Sequence, residues 1–406
     1  MSVPATSGRS SGSPPSANTP HARSLAPDLA RGVMLAVIAL VHAHMLVGGD
    51  SHFAGGYPTH GDVLDRIAAA VLTLFADSRG YPMFAALFGY GLARVAANRA
   101  VSGWDWPRVR RFLRRRGWWM VLFGLFHAVL LFPGDILATY GLLALVFVGA
   151  LRWSDRALIR LAGVCLVVCS TLYSVAFVGA MAATGSGAAA METVDPLTDA
   201  AIRLASWPVS TLLFAVTSLS PFLVGIWAAR RQLLEHPERS LGLLRATAIG
   251  GITIAVVGGL PLALIHSLLW TDTSTLVSTA AFALHSTAGV AGGLGYAALI
   301  ALLAVRLGDR GGPLVTALRA SGERSMTCYL LQSVVWFALF NPTTFNLGQH
   351  IDVATSVLVG LGVWVLGLVV ADLLRRAGRR GPFEVLLRRL SAERDRGRGR
   401  VSRDQG

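Results

Sequence analysis

The chain has 406 residues, of which 53% are hydrophobic and only 14% charged, and its mean hydropathy is +0.57. Soluble domains carry about 25% charged residues, so an ordinary soluble globule is excluded and the chain falls in the membrane class. The net charge of +14 comes from arginine alone, since the sequence has no lysine. Those arginines sit between apolar stretches, as in the cytoplasmic loops of a membrane protein, which argues against a nucleic-acid surface.

Residues 1–25 are rich in Ser, Pro, Ala and Gly and are expected to form a disordered tail. They lack the basic start and apolar core of a signal peptide. Ten apolar stretches then follow, each near the length a helix needs to cross a bilayer. They are 30–47, 81–97, 117–132, 136–151, 158–183, 208–229, 246–269, 276–307, 321–340 and 354–374. Val63–Phe75 is too short to cross and suits an interfacial or re-entrant helix. The expected fold is an all-α polytopic bundle of about ten transmembrane helices over 26–376. A basic tail follows over 377–406, with Phe383, Leu386, Leu387 and Leu390 spaced for a short amphipathic helix.

Arginine placement sets the expected direction. Clusters at Arg99–Arg116, Arg152–Arg160, Arg230–Arg245, Arg306–Arg319 and from Arg375 onward follow alternate spans. Both termini are therefore expected on the cytoplasmic side. The glycines inside the spans, including Gly289, Gly292, Gly293 and Gly295, read as close-packing positions first. Cys165, Cys169 and Cys328 lie in apolar stretches and read as packing residues. No metal site is expected: His42 and His44 are two apart and face different sides of a helix, and no HExxH motif occurs. Walker loops, a GxGxxG turn after a strand and a GxSxG elbow are also missing from the sequence.

Ionisable groups within a bilayer are expensive and mark candidate sites. The expected outer layer holds His42, His44, His52, His60, His127, His266, His285 and His350, with Asp50, Asp62, Asp65, Asp77, Asp135, Asp272 and Asp352. A histidine beside a carboxylate is the usual general-base pairing. His127 and Asp135 are the sharpest case, eight apart across a Pro133-Gly134 corner, with Tyr140 a turn further on. Asp135 is equally suited to capping the next helix, and His127 to bonding a backbone carbonyl. His44 and His60 complete the catalytic candidates. The expected inner layer holds Asp28, Arg31, Glu323, Arg324, Tyr329, Gln332 and Asp372. These residues either lock helix ends together by ion pairing or hold an anionic ligand, for which the arginine fork is suited.

Several motifs act together: Asp28-Leu29-Ala30-Arg31-Gly32, Met83 to Gly91, Gly124-Leu125-Phe126-His127, Pro133 to Leu137 with Tyr140-Gly141-Leu142, Gly322 to Ser333, and Gly381-Pro382-Phe383-Glu384. In these the chain resembles the YeiB-like family of bacterial multi-pass membrane proteins, a domain-of-unknown-function family, over most of Asp28–Leu390. It departs from that pattern at Glu323, where the family commonly has arginine, and at Cys328, where it often has asparagine. At greater distance the helical layout is similar to the transmembrane acyltransferase superfamily. That similarity implies transfer of an acyl group from a cytoplasmic thioester co-substrate to an acceptor such as a sugar or lipid, with no bound cofactor. It implies His127, or one of His42, His44 and His60, as the base, with Arg31 and Arg324 holding the donor. Asp28, Tyr140, Tyr329 and Gln332 complete the candidate binding set.

The acyltransferase expectation places His127 on a water-accessible tunnel. Two alternatives stand beside it. A transporter would break its helix near Gly289–Gly295, and a non-catalytic membrane partner would pair its polar groups locally. The expected partners are the lipid bilayer and a small-molecule, lipid or sugar substrate, without nucleic acid. The expected location is the bacterial cytoplasmic membrane.

Overall fold

The computed structural model describes residues 25–48, 53, 55–184, 195–271, 273–308 and 311–392. Residues 1–24 of the expected disordered tail, 393–406 of the basic tail, and Asp50, His52 and Asp272 lie outside these residues. Among the described residues the chain is all-helical, with thirteen α-helices. They are α1 (Leu25–Met45), α2 (Val63–Phe75), α3 (Gly80–Val101), α4 (Trp106–Leu130), α5 (Leu137–Phe147), α6 (Asp155–Thr184) and α7 (Pro196–Arg230). The rest are α8 (Leu241–His266), α9 (Thr275–Leu307), α10 (Pro313–Glu323), α11 (Ser325–Phe340), α12 (Val353–Arg376) and α13 (Pro382–Ser391).

Helix starts follow the local chemistry. Asp105, Asp195, Ser274 and Asp352 each accept a hydrogen bond from an N–H three residues on, at the heads of α4, α7, α9 and α12. At α2, Asp62 and Asp65 form a reciprocal capping box.

Among the described residues six helices are long and apolar enough to cross a membrane: α1, α6, α7, α8, α9 and α12. The chain is thus a multi-pass membrane protein, but the count of ten is not reproduced. Four of the ten expected stretches fail the length or apolarity test. The helix α5 is short, α3 and α4 carry arginines, and the stretch 321–340 is not one helix. It breaks at Arg324, between α10 and α11. On α6 a strip of Val164, Val167, Val168, Leu172 and Val175 is exposed at helical spacing, as a lipid-facing surface requires.

The helix α1 sits at the centre, packed on α3, α9, α10, α11 and α12. It approaches α10 through reciprocal glycines. A Cβ on Gly32 would run into the Leu318 carbonyl, and one on Gly322 into the Asp28 carbonyl. Such backbone-to-backbone contact is how membrane helices gain packing without a hydrophobic driving force. The helix α9 is continuous through Gly289–Gly295. Its glycine face receives the α2–α3 turn: a Cβ on Gly289 would strike Ser78, and one on Gly292 or Gly293 would strike Arg79.

Candidate functional site

The corner between α4 and α5 builds the first cluster. Asp135 accepts hydrogen bonds from the Leu137 N–H (3.1 Å) and the Ala138 N–H (2.6 Å), so it does cap the start of α5. Fixed in this way, its Oδ1 lies 2.8 Å from His127 Nδ1, one turn before the end of α4. His127 Nε2 lies 2.7 Å from Ser333 Oγ on α11. His127 and Asp135 are 2% exposed and Ser333 is fully buried. A carboxylate only accepts, so Nδ1 carries a proton, and in the neutral imidazole Nε2 is then the acceptor. The Ser333 hydroxyl therefore donates to His127. Its alternative partner, the Tyr329 carbonyl, is 3.3 Å away.

Around this line the polar groups are unevenly satisfied. The Tyr329 ring lies 5.0 Å from the His127 ring, and its hydroxyl donates to the Gly134 carbonyl at 3.4 Å. Gln332 Nε2 donates to the Leu35 carbonyl at 3.1 Å. His42 on α1 packs its ring 4.3 Å from Phe132 and 6.4 Å from Tyr329. His42 Nδ1, Gln332 Oε1 and Trp336 Nε1 are buried with no hydrogen-bond partner. A few such atoms per protein are normal, and each calls for an explanation. Nearby, a cavity of about 200 Å³ is lined by Val129 and Leu130 of α4, Phe337 and Asn341 after Ser333, and Arg203 of α7.

The second cluster lies on the other side of α1. His44 Nε2 is 3.0 Å from Asp77 Oδ1, and the Tyr57 hydroxyl donates to Asp77 Oδ2 at 2.7 Å. Tyr57 stacks on His44 and lies 4.6 Å from His266, which is 2.9 Å from the Thr73 hydroxyl. Arg79 is fully buried. It donates to the Ala255 carbonyl (2.6 Å) and the Asp77 carbonyl (2.5 Å) and meets His285 at 3.1 Å. His42 and His44 thus face opposite clusters, as their spacing requires.

At the arginine-rich end, Asp28 pairs with Arg31 at 3.0 Å. Glu323 pairs with Arg319 and Arg324, and Asp372 with Arg375 and Arg376 of its own helix. The helices here are locked by other means. Arg324 donates to the Arg379 carbonyl at 2.7 Å. Glu384 of α13 accepts from the N–H groups of Met326 (2.8 Å) and Thr327 (3.1 Å) at the head of α11, and from the Thr327 hydroxyl. Burial and the neighbouring Arg31 push Arg116 down from the usual arginine range, while Glu384 pulls it back up.

Of the residues expected to form a site, His127, Asp135 and Tyr329 come together, with Gln332 one residue from Ser333. His44 belongs to the Asp77 cluster. His60 is exposed on the loop before α2, beside Arg66. Tyr140 is a core residue, stacked on Phe84 and Phe88. Arg324 is committed to backbone carbonyls. Among the described residues His127 faces buried protein with both ring nitrogens engaged, and it does not line the cavity of about 200 Å³. Sequence reasoning missed Ser333 and Arg79 as site residues, because their partners are 206 residues away.

With this geometry in view, residues 228–394 match the family model described as "Protein of unknown function (DUF418)". The YeiB-like resemblance therefore holds. The chain is 25% identical to "Uncharacterized protein YxaH" of Bacillus subtilis (strain 168) over 357 residues, covering 80% of this chain and 82% of that one. It is also 25% identical to "Uncharacterized protein YeiB" of Escherichia coli (strain K12) over 352 residues, covering 79% and 84%. The matched family region contains Ser333 and Glu384, whereas His127 and Asp135 lie before it.

Proposed function

We propose that this protein transfers an acyl group from a cytoplasmic thioester donor to a hydroxyl acceptor, within the bacterial cytoplasmic membrane. In this reading the chain crosses the membrane ten times with both termini inside. The His127 corner then lies toward the outer face and the Arg31 end toward the cytoplasm. The observation that carries the reading is the Asp135–His127–Ser333 line, in which the imidazole holds a carboxylate on Nδ1 and a hydroxyl on Nε2. That is the arrangement a general base needs to activate an alcohol, and the carboxylate stabilises the imidazolium that forms. Arg31 and Arg116 supply positive charge for an anionic donor at the other end. The closed surroundings of His127 require helix movement for substrate entry.

A second reading, a non-catalytic membrane partner, draws on the local pairing of His44, Tyr57 and Arg79 around Asp77. Transport has lost its sequence hint, because α9 is unbroken. The test compares acylated lipids and metabolites in a deletion strain carrying the wild-type protein or His127→Ala at equal membrane abundance. The proposal expects one acylated product to disappear in both the deletion and the variant. An acyl profile unchanged by deletion would sink it.

A further inference from the structure

We propose that Ser333 is the nucleophile of this transfer and carries the acyl group as a covalent ester between donor and acceptor. The inference rests on the acyl-transfer reading and adds the route by which the group moves.

The argument begins with the proton. Asp135 fixes the His127 tautomer, so Nε2 presents a lone pair, and the atom it meets at 2.7 Å is Ser333 Oγ. A serine in a helix ordinarily bonds back to the carbonyl four residues earlier. Here that carbonyl, on Tyr329, is 3.3 Å away, the longer of the two contacts. The hydroxyl is oriented by the base. Three helices contribute: α4 brings the base, the head of α5 the carboxylate, and α11 the alcohol. Such constellations are recognised by geometry and role and not by order along the chain.

The surroundings of Ser333 are polar as well. Orphaned polar atoms flank it on its own helix, Gln332 Oε1 just before and Trp336 Nε1 nearly one turn after, with His42 Nδ1 on the facing α1. The cavity between Leu130, Phe337 and Asn341 opens one turn further along the same face of α11.

The chemistry balances in two halves. Ser333 Oγ attacks the thioester carbonyl carbon, forming a C–O bond as the C–S bond breaks. The serine proton passes to His127 Nε2 and then to the departing thiolate. In the second half an acceptor hydroxyl gives its proton to His127 and attacks the ester carbonyl. Ser333 Oγ leaves and recovers the proton from His127. No oxidant, metal or further co-reactant is needed.

The test uses the full chain in lipid nanodiscs with radiolabelled acetyl-coenzyme A, following free thiol release and label on the protein. The expected result is one thiol released per protein in a first burst. The label then maps to residue 333 as an ester that survives neutral hydroxylamine and is cleaved at alkaline pH. Ser333→Cys traps the label as a thioester that neutral hydroxylamine releases. Ser333→Ala takes no label, and its turnover falls at least 100-fold while it still folds by thermal unfolding. Continued turnover of Ser333→Ala, or wild-type transfer without label at position 333, overturns the covalent route and leaves acyl transfer standing. Absence of both thiol release and label in the folded wild-type protein overturns the covalent route and the acyl-transfer reading together.

Discussion

The two buried histidine clusters on either side of α1 share an ingredient, a histidine against an aspartate, yet they are built differently. In the Asp77 cluster most strong donors end on fixed acceptors, although Arg79 Nε and His44 Nδ1 are buried without a partner. His44 and Tyr57 hold the carboxylate, and Arg79 is spent on two backbone carbonyls against the glycine face of α9. In the Asp135 cluster the chain of bonds runs from a carboxylate through the imidazole and ends on the Ser333 hydroxyl. The first arrangement fixes where α2, α3, α8 and α9 meet. The second keeps a base and an alcohol in register. A histidine–carboxylate pair is thus weak evidence for chemistry by itself; what the other ring nitrogen faces decides the matter.

The largest effect should come from breaking the structural side of this contrast. Arg79→Ala removes a buried charge whose bonds tie the α2–α3 turn to α8 and α9. It should destabilise by about 3–5 kcal/mol, since taking one member from a buried charged network strands the rest. Thermal unfolding in detergent reads this, and a variant as stable as wild type would remove the distinction. Ser333→Ala should be milder, because it strands only the His127 acceptor, at about 1–3 kcal/mol. The same melting experiment should therefore rank the two variants in that order.

Smaller effects should appear at the arginine-rich end, away from both clusters. Glu384→Ala takes an acceptor from the first N–H groups of α11 and should cost about 1 kcal/mol, as lost helix caps do. Hydrogen exchange should quicken in α13 and at the head of α11 while the His127 corner stays protected. Asp352→Ala, at the head of α12, should cost about 0.5–1 kcal/mol. Hydrogen bonds from Thr355, by its hydroxyl and its N–H, hold the Asp352 carboxyl below the usual carboxylate range. Its stabilising contribution is therefore present above the ordinary aspartate range and is lost only as pH falls through the lowered value. The melting difference between wild type and variant should be constant near neutral pH and shrink in acid.

Much of the helical layout was legible in the sequence because long apolar stretches and acidic or serine caps are local signals. The His127–Asp135 pairing was legible for the same reason, since eight residues and one Pro-Gly corner separate the two. Ser333 and Arg79 were not, because each meets its partner across 206 residues and only packing brings them together. The span count is reproduced only in part, where hydropathy and burial part company. The helices α3 and α4 lie among other helices and carry arginines, so their sequences lack a clean crossing signature. Gly289–Gly293 had two readings as bare sequence, hinge or packing. The approach of Ser78 and Arg79 decides for packing.

The most direct test of acyl transfer through the His127 corner is single-turnover thiol release from a labelled acyl thioester in nanodiscs. Wild type should be compared with Asp135→Asn, which keeps the side chain's size and removes the charge that sets the imidazole tautomer. The account predicts that the rate falls by roughly 100-fold or more while donor binding is retained, because the loss is in base catalysis. Equal rates in the two folded proteins would contradict it.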